Sequence, residues 1–262
     1  MFRARPVRLK RQSINKLIPN MLTLMALCAG LSSIRFALLE RWEWAVAAII
    51  LAAFLDNLDG RMARLLNAGT QFGVELDSLS DFLSFGIAPA VVVYLWSLQD
   101  VGGFGWTIVL FYSVCCALRL ARFNAGQGEV LPPWGYNYFT GVSAPAGAGL
   151  VLLPMMLTFE TGLEIFRLPA VAGAVIICTA VLLISSIPTY SLKRIKIPQK
   201  YVLLTLLGVG LVGAMLVSEF WATFIGIVVV YFASLPFSIR SFTYLKREAE
   251  RIKGQTGDDT SS

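Results

Sequence analysis

Along this chain apolar residues run almost unbroken in stretches of about 20, the length at which a helix crosses a ~30 Å hydrocarbon core, and polar residues gather between them. Eight such stretches are read, at residues 17–39, 42–65, 76–98, 103–123, 139–159, 168–187, 202–217 and 220–239. None sustains the apolar-polar alternation of a membrane barrel strand, so each is expected to be a helix that satisfies its own backbone groups. The expected fold is an all-α polytopic membrane bundle of about eight transmembrane helices. A basic segment at 1–16 precedes the membrane domain at 17–239, and a tail at 240–262 follows, its polar end at 254–262 expected to be disordered. No internal repeat and no second domain is evident.

Composition agrees with the pattern. With 56% hydrophobic and 15% charged residues and a mean hydropathy of +0.70, the chain has too little polar surface to cover a soluble globule of its length. The first apolar run is too long for a secretory leader and is read as a retained span.

Charge orients the bundle. All of the 22 lysines and arginines except Arg35, Arg41 and Arg167 fall on one side when the N-terminus is placed in the cytoplasm, and both termini then lie there. The net charge of +6 is juxtamembrane and not gathered on a soluble domain, so anionic lipid headgroups are the expected counterpart and nucleic acid is not. Cys28, Cys115, Cys116 and Cys178 all sit inside apolar runs and the chain has no histidine, which rules out a disulfide framework and a His-ligated zinc site.

Against this background four carboxylates need explaining. Asp56 and Asp59 stand near the end of the second run, and Asp77 and Asp81 near the start of the third. Ionised acids in a span cost roughly 2.5–3.5 kcal/mol each at the bilayer centre, so a cluster near the membrane argues for compensating cations. Spacings of three and four place each pair on one helix face, and antiparallel packing of the two helices would bring the pairs together. Oxygen ligands without nitrogen or sulfur suit Mg²⁺ or Mn²⁺, which take their remaining ligands from phosphate and water.

Asp56, Asp59, Gly60, Ala63, Arg64, Gly73, Asp77 and Asp81 match all eight fixed positions of a signature, and by it the chain resembles the CDP-alcohol phosphatidyltransferases. That resemblance implies that Asp56, Asp59 and Asp77 bind metal, as a two-ion site in Mg or Mn form, and that Asp81 is both an edge ligand and the catalytic base. It assigns Gly60, Arg64 and Thr70 to the CDP-diacylglycerol headgroup, and it implies a homodimer. A physical reading stands beside it. Gly60 removes a side chain where a nucleotide approaches the backbone, and Arg64 offers a fork matched to phosphate oxygens. Gly69 and Gly73 bracket the expected turn, where they read equally well as ordinary turn and packing glycines.

The signature does not choose the acceptor alcohol. The run from Glu75 to Pro89 and the run Leu118 to Asn124 are similar to the corresponding segments of phosphatidylserine synthases, as are Pro19-Asn20, the segment from Phe139 to Pro145 and Pro188 to Ser191. L-serine is therefore the expected acceptor, with choline, glycerol phosphate or inositol as alternatives. Gly141-Val142-Ser143-Ala144-Pro145 departs from the Leu-Pro-Ser-Pro pattern of many serine enzymes. Arg119 and Arg122, one turn apart, read either as contacts to the acceptor carboxylate or lipid phosphate or as anchors of their helix. Asn124 reads either as a ligand-orienting residue or as a cap. The resemblance, with the basic bias, further implies a bacterial inner membrane with the site at its cytoplasmic face and direct in-line transfer, since no histidine is present to activate a covalent nucleophile.

Overall fold

A computed structural model describes residues 17–126, 138–185, 188–190 and 201–234. The basic N-terminal segment, the lysines and arginines from 193 to 200 and the C-terminal tail lie outside the described residues. Among the described residues eight long helices follow in order: α1 (Leu17–Leu38), α2 (Trp42–Leu65), α3 (Gln71–Val101), α4 (Gly103–Ala125), α5 (Ala144–Thr161), α6 (Pro169–Ile184), α7 (Val202–Ser218) and α8 (Phe220–Ser234).

Four of these, α1, α3, α4 and α5, are long and apolar enough to cross a membrane unaided, and α6, α7 and α8 are shorter apolar helices. The 24-residue α2 is long enough but carries Asp56, Asp59, Arg61 and Arg64 in its C-terminal half. Met21, Phe54, Phe104 and Leu203 point outward with more than half of their surface exposed. Outward apolar side chains on every side are tolerable only where lipid replaces water. The protein is a polytopic membrane helical bundle.

Small residues set the closest contacts. The positions α1 buries, Thr23, Ala26, Gly30, Ser33 and Ala37, recur every three or four residues and let its backbone approach both α2 and α3. A Cβ on Gly30 would stand 2.9 Å from the Ser84 Cα. On α5 the small residues Ala144, Gly147 and Ala148 are buried, and Gly147 admits Leu183 of α6.

The long α3 is not uniformly wound. Its Gln71–Asp81 turns are α-helical, Phe82–Ile87 widens to a π-helix, and the α pattern resumes at Ala88. Pro89 has no N–H, so one carbonyl of the preceding turn, that of Phe85 four residues back, loses its amide donor. Two hydroxyls from α4 reach this turn: Tyr112 donates to the Phe85 carbonyl at 2.9 Å and Ser113 to the Gly86 carbonyl at 3.2 Å. Tyr112 is fully buried, so Tyr112→Phe strands the Phe85 carbonyl away from water. The variant is expected to lose about 1–3 kcal/mol of stability, read as a lower denaturation midpoint in detergent.

Three boundaries differ from the sequence pattern. The fifth helix starts at Ala144, not 139, because Gly141 takes a left-handed backbone at φ +81 and Pro145 fixes the first helical turn. The residues before it, Tyr138–Thr140, pair antiparallel with Pro188–Tyr190, a small addition to the all-α expectation. That segment also ends α6 at Ile184, ahead of the 187 expected, since Ser185 is extended. The third helix starts five residues early because Thr70 caps it, its Oγ accepting the Gly73 N–H at 3.0 Å. In the turn between α2 and α3 the left-handed residue is Asn67, at φ +48, and neither expected glycine takes that role. Gly73 sits inside the first turn of α3, where a Cβ would meet the Asn20 Oδ1 at 2.9 Å.

Candidate active site

The start of α1, the end of α2, the start of α3 and the end of α4 meet at one end of the bundle. Arg61, Arg64, Arg119 and Arg122 lie at this end, while Arg167 lies at the other, where its Nε donates to the Trp96 carbonyl. The described arginines thus divide between the ends as the charge pattern requires.

Here the paired acids converge. Asp56, Asp59 and Asp77 each present a carboxylate oxygen within 4.8 Å of the other two. The carboxyl groups of Asp77 and Asp81 both lie beside that of Asp56, so the four form one cluster with Asp56 at its middle. The contact between the pairs is not made by α2 and α3 alone. α1 lies along both and supplies the third wall. Its Thr23 hydroxyl donates to Asp59 Oδ2 at 2.5 Å, and its Thr23 carbonyl accepts from Ser80 of α3 at 3.2 Å.

A cavity of about 190 Å³ opens beside the cluster. Asp59 and Asp77 line one side, Gly60 and Ala63 of α2 another, and Gly69, Thr70 and Gly73 of the following turn close it, with Pro19, Asn20 and Thr23 of α1 opposite. Outside its own helical turn nothing lies within 4 Å of where a Gly60 Cβ would stand, so protein packing does not require the glycine and the position faces open space. Thr70 lines the cavity while its oxygen caps α3, which leaves its hydroxyl hydrogen to donate. Arg64 is exposed in the last turn of α2 and stands outside the cavity walls.

The expected acceptor contacts are held differently. Arg119 faces the cluster near Asp81, and its Nε donates to the Val142 carbonyl at 2.5 Å, which fixes the loop before α5. Arg122 is exposed, and both terminal nitrogens reach carbonyls at the end of α6, Ile184 at 3.0 Å and Ser185 at 3.3 Å. Asn124 donates to the Ser78 hydroxyl at 2.8 Å and ties α4 to α3. These bonds favour anchoring for Arg122 and leave Arg119 nearest the acids.

A family model described as CDP-alcohol phosphatidyltransferase matches residues 16–185, and a second, CDP-alcohol phosphatidyltransferase 2, matches residues 200–236. The chain belongs to the CDP-alcohol phosphatidyltransferase family. Among curated relatives it is similar to the CDP-diacylglycerol–serine O-phosphatidyltransferase of Mycobacterium bovis, with 36% identity across 92% of this chain and 84% of that protein. The enzyme of the same name from Helicobacter pylori is 31% identical across 82% of this chain and 89% of its own length. That from Bacillus subtilis is 38% identical over 55% of this chain and 81% of its own length.

CDP-alcohol phosphatidyltransferases use divalent cations. The cluster fits them: it offers only oxygen donors, and their 4.8 Å limit brackets the span across a hard ion whose bonds are about 2.0–2.6 Å. Asp56, Asp59 and Asp77 would hold the metal, with Asp81 against Asp56 at the edge. Sequence reasoning missed Thr23, Asn20 and Ser80. Thr23 reads as one hydroxyl in an apolar run, and only its position opposite Asp59 distinguishes it.

Proposed function

We propose that this protein transfers the phosphatidyl group of CDP-diacylglycerol to the hydroxyl of L-serine, giving phosphatidylserine and CMP. The observation that carries it is the convergence of Asp56, Asp59 and Asp77 beside a cavity walled by Gly60 and Thr70. The acceptor is taken from relatives named for serine that match most of the chain.

Two divalent ions, Mg²⁺ or Mn²⁺, would supply charge neutralisation at the transferred phosphorus and at the departing phosphate. Gly60, Thr70 and the first turn of α1 hold the nucleotide end of the donor, and Arg64 meets its phosphates from the rim. Asp81 accepts the serine hydroxyl proton as the oxygen bonds to phosphorus, and the phosphorus–oxygen bond to CMP breaks with its electron pair leaving on CMP. Arg119, beside Asp81, provides positive charge for the serine carboxylate. An apolar groove of about 900 Å³ between α2, α5 and α8 suits the acyl chains, lined by Ile50, Phe54, Leu152, Met156, Phe224 and Val228. It follows α2 from Ala47 to Arg61, a rise of ~21 Å, so its length exceeds the depth of one leaflet. The active site is assigned to the cytoplasmic face of a bacterial inner membrane, and the working form to a homodimer.

The test is product identity. Membranes or purified protein are incubated with CDP-diacylglycerol and labelled serine, choline, glycerol 3-phosphate or inositol, and the lipids separated. Labelled phosphatidylserine with stoichiometric CMP is expected. A labelled lipid from another alcohol and none from serine would overturn the acceptor and keep the reaction class.

A further inference from the structure

Thr23 lies on α1, outside the signature that defines the acids, and nothing about an apolar span requires a hydroxyl there. Its Oγ has two acceptors in reach, Asp59 Oδ2 at 2.5 Å and the Pro19 carbonyl one turn back at 3.1 Å. A hydroxyl has one hydrogen. The Pro19 carbonyl lies four residues before Thr23, where the helix provides a backbone donor, whereas an ionised carboxylate gives the shorter, charge-assisted bond. The hydrogen therefore goes to Asp59. Both residues are 4% exposed, so water does not replace that bond. Oδ2 is then committed to α1, and the carboxylate is held in one orientation beside Asp56 and Asp77. Ser80 of α3, donating to the Thr23 carbonyl, fixes the same turn of α1 against the helix that carries Asp77 and Asp81.

We propose that Thr23 is a positioning residue of the metal centre: its hydroxyl orients Asp59, and through it α1 sets the ligand geometry that α2 and α3 only supply. This rests on the metal-assisted reading above. Outer partners of metal ligands typically contribute 10- to 100-fold in metal affinity.

The test is Mn²⁺ binding to the purified full-length protein in detergent without substrate, with free Mn²⁺ read by electron paramagnetic resonance. Thr23→Val, which keeps the branched shape, and Thr23→Ala, which does not, are both expected to bind Mn²⁺ about 10- to 100-fold more weakly. Thr23→Ser restores the hydroxyl and is expected within a few-fold of the wild type. Ser33→Ala removes an equally buried α1 hydroxyl bonded only to the Gly30 carbonyl and is expected to leave binding unchanged. Wild-type affinity in either Thr23→Val or Thr23→Ala, or failure of Thr23→Ser to restore it, overturns the positioning role while serine transfer stands. A wild-type protein that takes up no Mn²⁺ overturns this role and the metal reading together.

Discussion

Asp81→Asn is expected to lower the rate of CMP release from CDP-diacylglycerol plus serine by about 10²- to 10⁴-fold, the range general-base catalysis supplies. Asparagine keeps the shape of the side chain and an oxygen toward Asp56 but takes no proton. Its amide leaves the nucleotide cavity untouched, because the walls there are Asp59, Asp77, Gly60 and Thr70. The loss should therefore fall on kcat, with KM for the lipid donor changing little. CMP release and labelled phosphatidylserine, measured together across donor concentrations, check this. A variant retaining more than about a tenth of the wild-type kcat would remove Asp81 from the role of base. Chelation of divalent ions should abolish turnover in both proteins, and Mg²⁺ or Mn²⁺ should restore each to its own starting rate.

Substitution of Gly60 is expected to move stability and activity in opposite directions. The residue lies inside α2, where glycine is less favourable than alanine by roughly 0.5–1 kcal/mol, and outside its own helical turn no protein atom lies within 4 Å of the position a Cβ would take. Gly60→Ala should leave the denaturation midpoint unchanged or higher. The added carbon projects into the cavity beside Asp59 and Thr70, where the nucleotide must approach the backbone. A displacement of about 1 Å at a reacting centre can lower rate by about 10²-fold, and Gly60→Leu should reach or exceed that in kcat/KM for CDP-diacylglycerol. Denaturation and steady-state kinetics on the same preparations distinguish the outcomes. A Leu variant with wild-type kcat/KM would place the donor elsewhere.

Much of the site was legible because its residues lie within 26 positions of one another on two helices. Spacings of three and four fix which side chains share a face, and a short turn joins the two helices, so the meeting of Asp56, Asp59, Asp77 and Asp81 could be expected. Gly60 and Thr70 were named by the family resemblance, and Gly60 also by its missing side chain. The roles of Arg119, Arg122 and Asn124 were not, since an arginine at a helix end reads alike whether it meets a ligand or a carbonyl. Arg122 turned out to hold the end of α6, a partner 62 residues away. Helix ends failed where a local backbone event ended an apolar run: Gly141 and Pro145 before α5, the extended Ser185 after α6 and the Thr70 cap before α3.

The sequence by itself determined that this chain spans a membrane as helices, that basic residues divide its ends, and that four carboxylates gather at one of them. These follow from hydropathy and helical periodicity, which are local properties. Only the tertiary structure decided that the Thr23 hydroxyl of α1 meets Asp59, that α4 hydroxyls reach the Phe85 and Gly86 carbonyls beside Pro89, and that open space lies beside Gly60. Each of these depends on which helices pack together and how closely, and that is set by small residues distributed over the whole chain.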